Sequence, residues 1–274
     1  MSKTWFITGA SRGFGRVWAE AALERGDKVA ATARDVNTLQ ALEEKYSDSV
    51  LTLALDVNSR AADFAAIKKT YDTFGGLDVV VNNAGYGQFG MVEELSEQEA
   101  RDQIETNLFG ALWVTQAALP IMRAQGSGHI IQVTSIGGIN AFPYIGIYNA
   151  SKWGLEGLSQ ALSQEVAAFG IKVTIVEPVG YTTDWGGSSA KIAKLIPEYD
   201  QVREYRKAHP ITTVAPGVPE ATGPVMLKLV DMDDPPLRII FGSWANGMAH
   251  KEYQKRLDEW DKYNDLSIEA HGSK

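Results

Sequence analysis

The chain is expected to fold as a single α/β domain, a doubly wound, seven-stranded parallel sheet covered by helices on both faces. Three observations predict this. Short β-rich runs alternate with helix-length segments along most of the sequence, and strands separated by helices must cross over and pair in parallel. Several runs, such as Val79-Val80-Val81, are apolar on both faces, which suits strands buried between two helical layers. At 274 residues with 45% apolar content, the chain can also support one continuous core.

The strands are placed at Thr4 to Thr8, Lys28 to Ala33, Val50 to Leu55, Leu77 to Val81, Ile130 to Ser135, Lys172 to Glu177 and Leu237 to Phe241. A helix opens near Phe14, after a glycine-rich turn. Ser96 with Glu99 forms a capping box for a long helix running towards Arg123, and Gly126-Ser127-Gly128 separates it from the next strand. A second long helix spans Tyr148 to Ala168, with Leu155, Leu158, Leu162 and Val166 near helical spacing. From Tyr181 to Pro219 the chain turns polar and rich in glycine, threonine and proline, with a short helix expected around Ala190 to Leu195. An irregular insert after a strand's carboxyl end reads as a substrate lid, here about 181–219.

Composition excludes several classes of function. A net charge of −8 without basic clusters argues against a nucleic-acid surface. The sequence has no cysteine, so disulfides and thiolate metal sites are absent, which fits a reducing cytoplasmic location. No uncharged run approaches the ~18 residues of a membrane span, and no signal-peptide layout opens the chain. The four histidines, His129, His209, His250 and His271, lack metal-ligand spacing, and no metal site is expected.

The chemistry-bearing motifs lie at strand ends and helix starts. Gly9, Gly13 and Gly15 fall between the first strand and its helix, where the backbone must turn sharply and approach a pyrophosphate closely. Helix amides and the helix dipole then meet the phosphates. The second strand ends Thr32-Ala33-Arg34, and Arg12 sits inside the glycine turn. Two guanidiniums suit the extra phosphate of NADP(H), preferred here over NAD(H), although Asp35 could serve as a ribose-binding acid if the strand runs longer. Tyr148 and Lys152, spaced i and i+4, share a helix face, so an ammonium can lie beside a phenol oxygen and lower its pKa. Tyr148 can then donate a proton to a carbonyl oxygen or remove it from an alcohol, and Ser135, at the end of the fifth strand, can hydrogen-bond that same oxygen.

Gly-x-x-x-Gly-x-Gly with Asn82-Asn83-Ala84-Gly85 and Tyr148-Asn149-Ala150-Ser151-Lys152 resembles the short-chain dehydrogenase/reductase family, from about Lys3 to Phe241. The resemblance implies a Rossmann-type fold and a catalytic set of Asn107, Ser135, Tyr148 and Lys152. It implies dinucleotide contacts from Gly9, Ser11, Arg12, Gly13, Phe14, Gly15, Arg34, Asp56, Val57, Asn83, Ala84, Gly85, Tyr148, Lys152, Pro178 and Thr183. Asp56-Val57 would flank the adenine, and Asn107 would bend its helix and hold a relay water beyond Lys152. Thr183, or Thr182 if the loop shifts, would bond the nicotinamide carboxamide. The chain departs from the family's Pro-Gly with Pro178-Val179-Gly180, which adds bulk beside the nicotinamide.

The substrate pocket is expected from Ser135, Gly137, Ile139, Phe142, Pro143, Tyr144, Tyr148 and the Tyr181 to Tyr199 segment, Tyr181 and Trp185 foremost, with Trp185 either contacting substrate or packing the lid. Mostly apolar and aromatic, it points to an uncharged ketone or secondary alcohol. The leading expectation is an NADP(H)-dependent carbonyl reductase, reversible as a secondary alcohol dehydrogenase. Its alternatives are an epimerase or dehydratase of the same family and a nicotinamide-binding sensor or scaffold without turnover. The family's two long interface helices correspond to those from Glu97 and Tyr148, so a homodimer or homotetramer is expected.

Overall fold

A computed structural model describes residues 2–187 and 189–272. Its strands and helices follow in the order β1 (Thr4–Ile7), α1 (Gly13–Glu24), β2 (Lys28–Ala33), α2 (Gln40–Tyr46), β3 (Val50–Ala54), α3 (Arg60–Phe74), β4 (Val79–Asn82) and β5 (Gln88–Phe89). Then come α4 (Glu97–Ile104), α5 (Gly110–Gln125), β6 (Gly128–Val133), α6 (Gly146–Val166), β7 (Ile171–Pro178), β8 (Lys191–Ile192), α7 (Asp200–Ala208), α8 (Thr222–Asp231), β9 (Arg238–Phe241), α9 (Ala245–Lys262) and α10 (Asn264–His271). All seven expected strands form, in one parallel sheet of order β3-β2-β1-β4-β6-β7-β9.

Side-chain alternation across the pleat divides the apolar residues between two layers. Trp5 and Ile7 of β1 join Trp18 of α1 and Met226 of α8 on one face. Phe6, between them in sequence, joins Ile67 of α3, Val114 of α5 and Leu162 of α6 on the other. The register is set centrally, with Phe6 opposite Ala30 of β2 and Val80 of β4. Because the chain winds outward from β1 through β2 on one side and from β4 on the other, the crevice lies beyond the carboxyl ends of β1 and β4.

The Ser96 capping box is present, with Ser96 Oγ accepting from Glu99 N and the Glu99 carboxylate accepting from Ser96 N. The helix it opens runs to Gln125 but is interrupted by one π-helical turn, Glu105–Phe109. The 190–195 stretch is not the short helix expected: Lys191–Ile192 form β8 and its other residues are irregular. Lys191 N and Ala193 N donate to Gly87 O and Phe89 O, so β8 zips to β5 as a two-stranded parallel pair. Backbone bonds across the crevice outweigh local helix propensity there. The helix of this segment is α7, further along, and the chain after Trp260 continues as the end of α9 and α10. Among the described residues no helix is long and apolar enough to cross a membrane.

Candidate active site

A pocket of about 900 Å³ opens at the carboxyl ends of the central strands. The glycine turn forms one wall. Gly9 (φ +67°) and Gly13 (φ +56°) occupy the left-handed region that side chains disfavour. A Cβ on Gly15 would strike Gly9 O and come within 2.6 Å of Asn83 Nδ2, so this glycine allows α1 to seat against the sheet and does not line the pocket. The first turn of α1 carries no acidic residue, and its N-cap residue, Arg12, makes no side-chain cap. A helix start that faces a crevice without an internal carboxylate cap suits a phosphate ligand. Asn83 fixes the turn by donating from Nδ2 to Thr8 O (2.9 Å) and Gly9 O (3.1 Å).

Ser11, Arg12, Phe14, Arg34, Asp56, Val57, Ala84, Gly85, Pro178 and Thr183 line the same pocket. β2 ends at Ala33, and Asp35 caps the following turn, its Oδ1 accepting from Asn37 N at 3.0 Å. The carboxylate is therefore engaged locally, and Arg34 is the charged residue of this strand end that lines the pocket. Thr182 is turned aside, with Oγ1 donating to Gly217 O at 3.0 Å, whereas Thr183 lies across from Gly13. A groove with an uncapped helix start, glycine-enabled close approach and two arginines, Arg12 in the turn and Arg34 after β2, fits a dinucleotide.

At the other end, Ser135, Tyr148 and Lys152 converge. Tyr148 and Lys152 occupy successive turns of α6, and both are buried. Ser135 follows β6; its Oγ accepts from Gly137 N at 3.0 Å. Burial pushes the Tyr148 phenol up to about 12, opposed by a hydrogen bond with Ser135. Burial pushes the Lys152 ammonium down to about 8, opposed by the charge of Glu156. The expected lowering of Tyr148 by Lys152 is thus not the dominant effect here. Lys152 Nζ donates to Val133 O at 2.8 Å and stands 5.9 Å from the Tyr148 ring centroid, and burial sets the direction of the phenol's shift.

Asn107 lies behind the pocket, buried in the π-turn. Its Nδ2 donates to Tyr86 O (3.0 Å) and Ser151 Oγ (3.2 Å), and its Oδ1 accepts from Tyr86 N (3.1 Å). The side chain competes for main-chain partners, as a mid-helix asparagine does, and the helix yields with a wider turn. A Cβ on Gly85 would lie 3.0 Å from Asn107 Oδ1 and 3.6 Å from Lys152 Nζ, so the two side chains share one small space.

Gly137, Phe142, Tyr181 and Trp185 line the pocket, but Tyr144 does not. Tyr144 stands behind Phe89 at 5.8 Å between ring centroids. Tyr181 packs edge-on against Phe14 at 4.9 Å, which places it towards the glycine turn. Trp185 lies 5.0 Å from the Tyr148 ring and 5.2 Å from Phe89. Val179 packs into the space left by Gly242, where any Cβ would collide with it, so the extra bulk at the usual glycine position is accommodated from β9. Tyr86 and Trp244, which the sequence did not single out, also line the pocket, and the expected lid segment adds Lys191, Ile211 and Thr212 to its wall. Tyr86, directly after the Asn-Asn-Ala-Gly motif, was the one with a local signal.

The family model described as short chain dehydrogenase matches residues 3–192. The chain belongs to the short-chain dehydrogenase family. It is 39% identical over 274 residues to Oxidoreductase BOA17 of Botryotinia fuckeliana, covering 98% of this chain and 99% of that relative. A short-chain dehydrogenase from Streptomyces avermitilis superposes with a TM-score of 0.90 at 36% identity, over 98% of each chain. An alcohol dehydrogenase from the archaeon Thermococcus sibiricus, solved with 5-hydroxy-NADP, gives 0.74 at 28% identity over 88% of this chain and 96% of that one. The chain is thus an oxidoreductase using a nicotinamide cofactor. Structures of this fold hold NADP or NAD, so the choice between them turns on this chain's own side chains.

Proposed function

We propose that this short-chain dehydrogenase is an NADP(H)-dependent carbonyl reductase acting reversibly on an uncharged ketone or secondary alcohol, with Tyr148 as general acid and base. The observation that carries the reading is the convergence of Ser135, Tyr148 and Lys152 in the pocket that also contains the glycine turn and Arg34.

The residues from Gly9 to Phe14, with Arg34, Asp56, Val57, Asn83, Ala84, Gly85, Pro178 and Thr183, would hold the dinucleotide, which supplies or accepts the hydride when bound. Arg12 and Arg34 favour a phosphorylated adenosine through charge-assisted hydrogen bonds. A phenol pushed up to about 12 holds its proton at neutral pH, as a donor to a carbonyl oxygen must. Tyr148 gives that proton to the substrate oxygen in reduction and takes it back in oxidation. Ser135 bonds the same oxygen and fixes its distance from Tyr148. The Lys152 ammonium stabilises the phenolate left behind, and Asn107 holds the relay water that returns the proton. Phe142, Trp185 and Trp244 exclude bulk water with apolar surface. The reading extends to a single domain with its substrate lid at about 181–219, a cytoplasmic location and a homodimer or homotetramer.

The test is loss of reduced-cofactor absorbance with a panel of ketones. Steady consumption by the wild type, with Tyr148→Phe lowering kcat about 10²- to 10⁴-fold while cofactor Kd stays within about threefold, supports the reading. Full activity in that variant removes Tyr148 as the acid. Cofactor binding without consumption favours a protein that senses nicotinamide without turnover.

A further inference from the structure

Arg12 and Asp184 meet across the mouth of the pocket. Arg12 Nη1 lies 2.6 Å from Asp184 Oδ2, joining the glycine turn to the first residues of the lid, and both residues line the pocket with Arg34. The contact is well built on the lid side. Asp184 starts a single helical turn, Asp184–Gly186, its main-chain oxygen accepts from Gly187 N (3.1 Å) and Ser189 N (3.3 Å), and Oδ2 also accepts from Ser189 Oγ (3.3 Å). The neighbouring Thr183 is held by its N–H to Tyr181 O at 2.8 Å. Arg16, the next arginine along α1, is committed to Glu20 at 2.8 Å. A carboxylate of the chain therefore occupies the guanidinium that the cofactor reading assigns to a phosphate.

We infer that Asp184 is a specificity-determining residue, an internal carboxylate that competes with the cofactor's 2′-phosphate for Arg12. A phosphate offers more acceptor oxygens and more charge than a carboxylate, so it displaces Asp184 from the guanidinium and draws on Arg34 at the same time. The ion pair is partly exposed, with Arg12 and Asp184 side chains 53% and 36% accessible, and exposed pairs are weak. Displacement thus lowers affinity modestly and does not block binding. NAD lacks the 2′-phosphate that contests Arg12, so it leaves the pair intact. Asp184 consequently narrows the margin by which the arginines favour NADP.

The inference rests on the NADP(H) reading of Arg12 and Arg34. It is tested by calorimetric titration of the purified protein with NADP⁺, NAD⁺ and 2′,5′-ADP, which requires no turnover. Asp184→Asn is expected to tighten NADP⁺ and 2′,5′-ADP about two- to fivefold, the range set by one exposed pair, and to leave NAD⁺ within about 1.5-fold. In an Arg12→Ala background the same substitution is expected to change none of the three, because the contested group is gone. Asp184→Asn leaving NADP⁺ unchanged or weaker overturns the inference, as does equal tightening of NAD⁺. A wild type that binds NAD⁺ more tightly than NADP⁺ overturns the cofactor reading itself, which separates the two failures.

Discussion

Asp63 is a carboxylic acid in the wrong solvent. It sits in the first turn of α3 with no exposed surface, and neither oxygen has a hydrogen-bond partner among the described residues. Burial, with Asp56 nearby, pushes its carboxyl up to about 8. In the unfolded chain the same group titrates near 3.9, so between about pH 4 and pH 8 the folded form keeps a proton that the unfolded form releases. Folding stability therefore falls by about 1.4 kcal/mol per pH unit through that window and levels off above it. By pH 7 the window spans about three units, and the carboxyl costs about 4 kcal/mol, a large fraction of a domain's usual net stability.

Asp63→Asn removes the titration and with it this slope, while Asp63→Val also removes the unpartnered oxygens. The assay is urea denaturation at pH 5, 6, 7 and 8, followed by far-ultraviolet circular dichroism. The expected result is a gain of about 4 kcal/mol for Asp63→Val at pH 7, shrinking to about 1.5 kcal/mol at pH 5. A difference between wild type and variant that does not change with pH refutes the reasoning, as does a less stable variant at pH 7.

Three further outcomes bear on the site. Arg34→Asp should raise Kd for NADP⁺ at least tenfold and shift preference towards NAD⁺, since it replaces a phosphate-binding cation with an anion; an unchanged NADP⁺/NAD⁺ ratio in binding titrations would count against it. With Lys152 pushed below the usual lysine range to about 8, it loses its charge as pH rises through that value, so kcat for ketone reduction should fall above about pH 8; a profile level to pH 9.5 would show that this charge does not assist the step. At Gly87, a Cβ would lie 2.7 Å from Trp185 Cζ2 and 3.0 Å from Phe89 Cε2. Gly87→Ala should therefore displace the indole, changing substrate KM about tenfold with cofactor Kd held, and equal KM values would place Trp185 outside the substrate's reach.

Residues whose role follows from backbone geometry were legible in the sequence. Gly9 and Gly13 do take positive φ, Tyr148 and Lys152 do share a face of α6, and every strand expected from its apolar run joins the sheet. What escaped depends on contacts between segments far apart in the chain. The extended conformation of Lys191–Ile192 comes from pairing with Gln88–Phe89 about a hundred residues earlier, which no local pattern records. The tolerance of Val179 depends on Gly242, and the fate of Asp35 was settled by a two-residue hydrogen bond to Asn37 that ended the strand. The Tyr148 phenol illustrates the same division: its position could be read from spacing, whereas the balance between burial and charge needed the surrounding side chains.

The short β5–β8 ribbon has a companion in the buried pair of Arg203 and Glu94, which ties α7 to the turn before α4 while Glu94 also receives Ile196 N at 2.8 Å. Two moorings, one of main chain and one of charge, leave the stretch from Lys191 to Arg203 as fixed masonry. Among the described residues of the insert that line the pocket, Lys191 alone belongs to that stretch, so the wall on this side is completed by the insert's two flanks, around Trp185 and around Ile211.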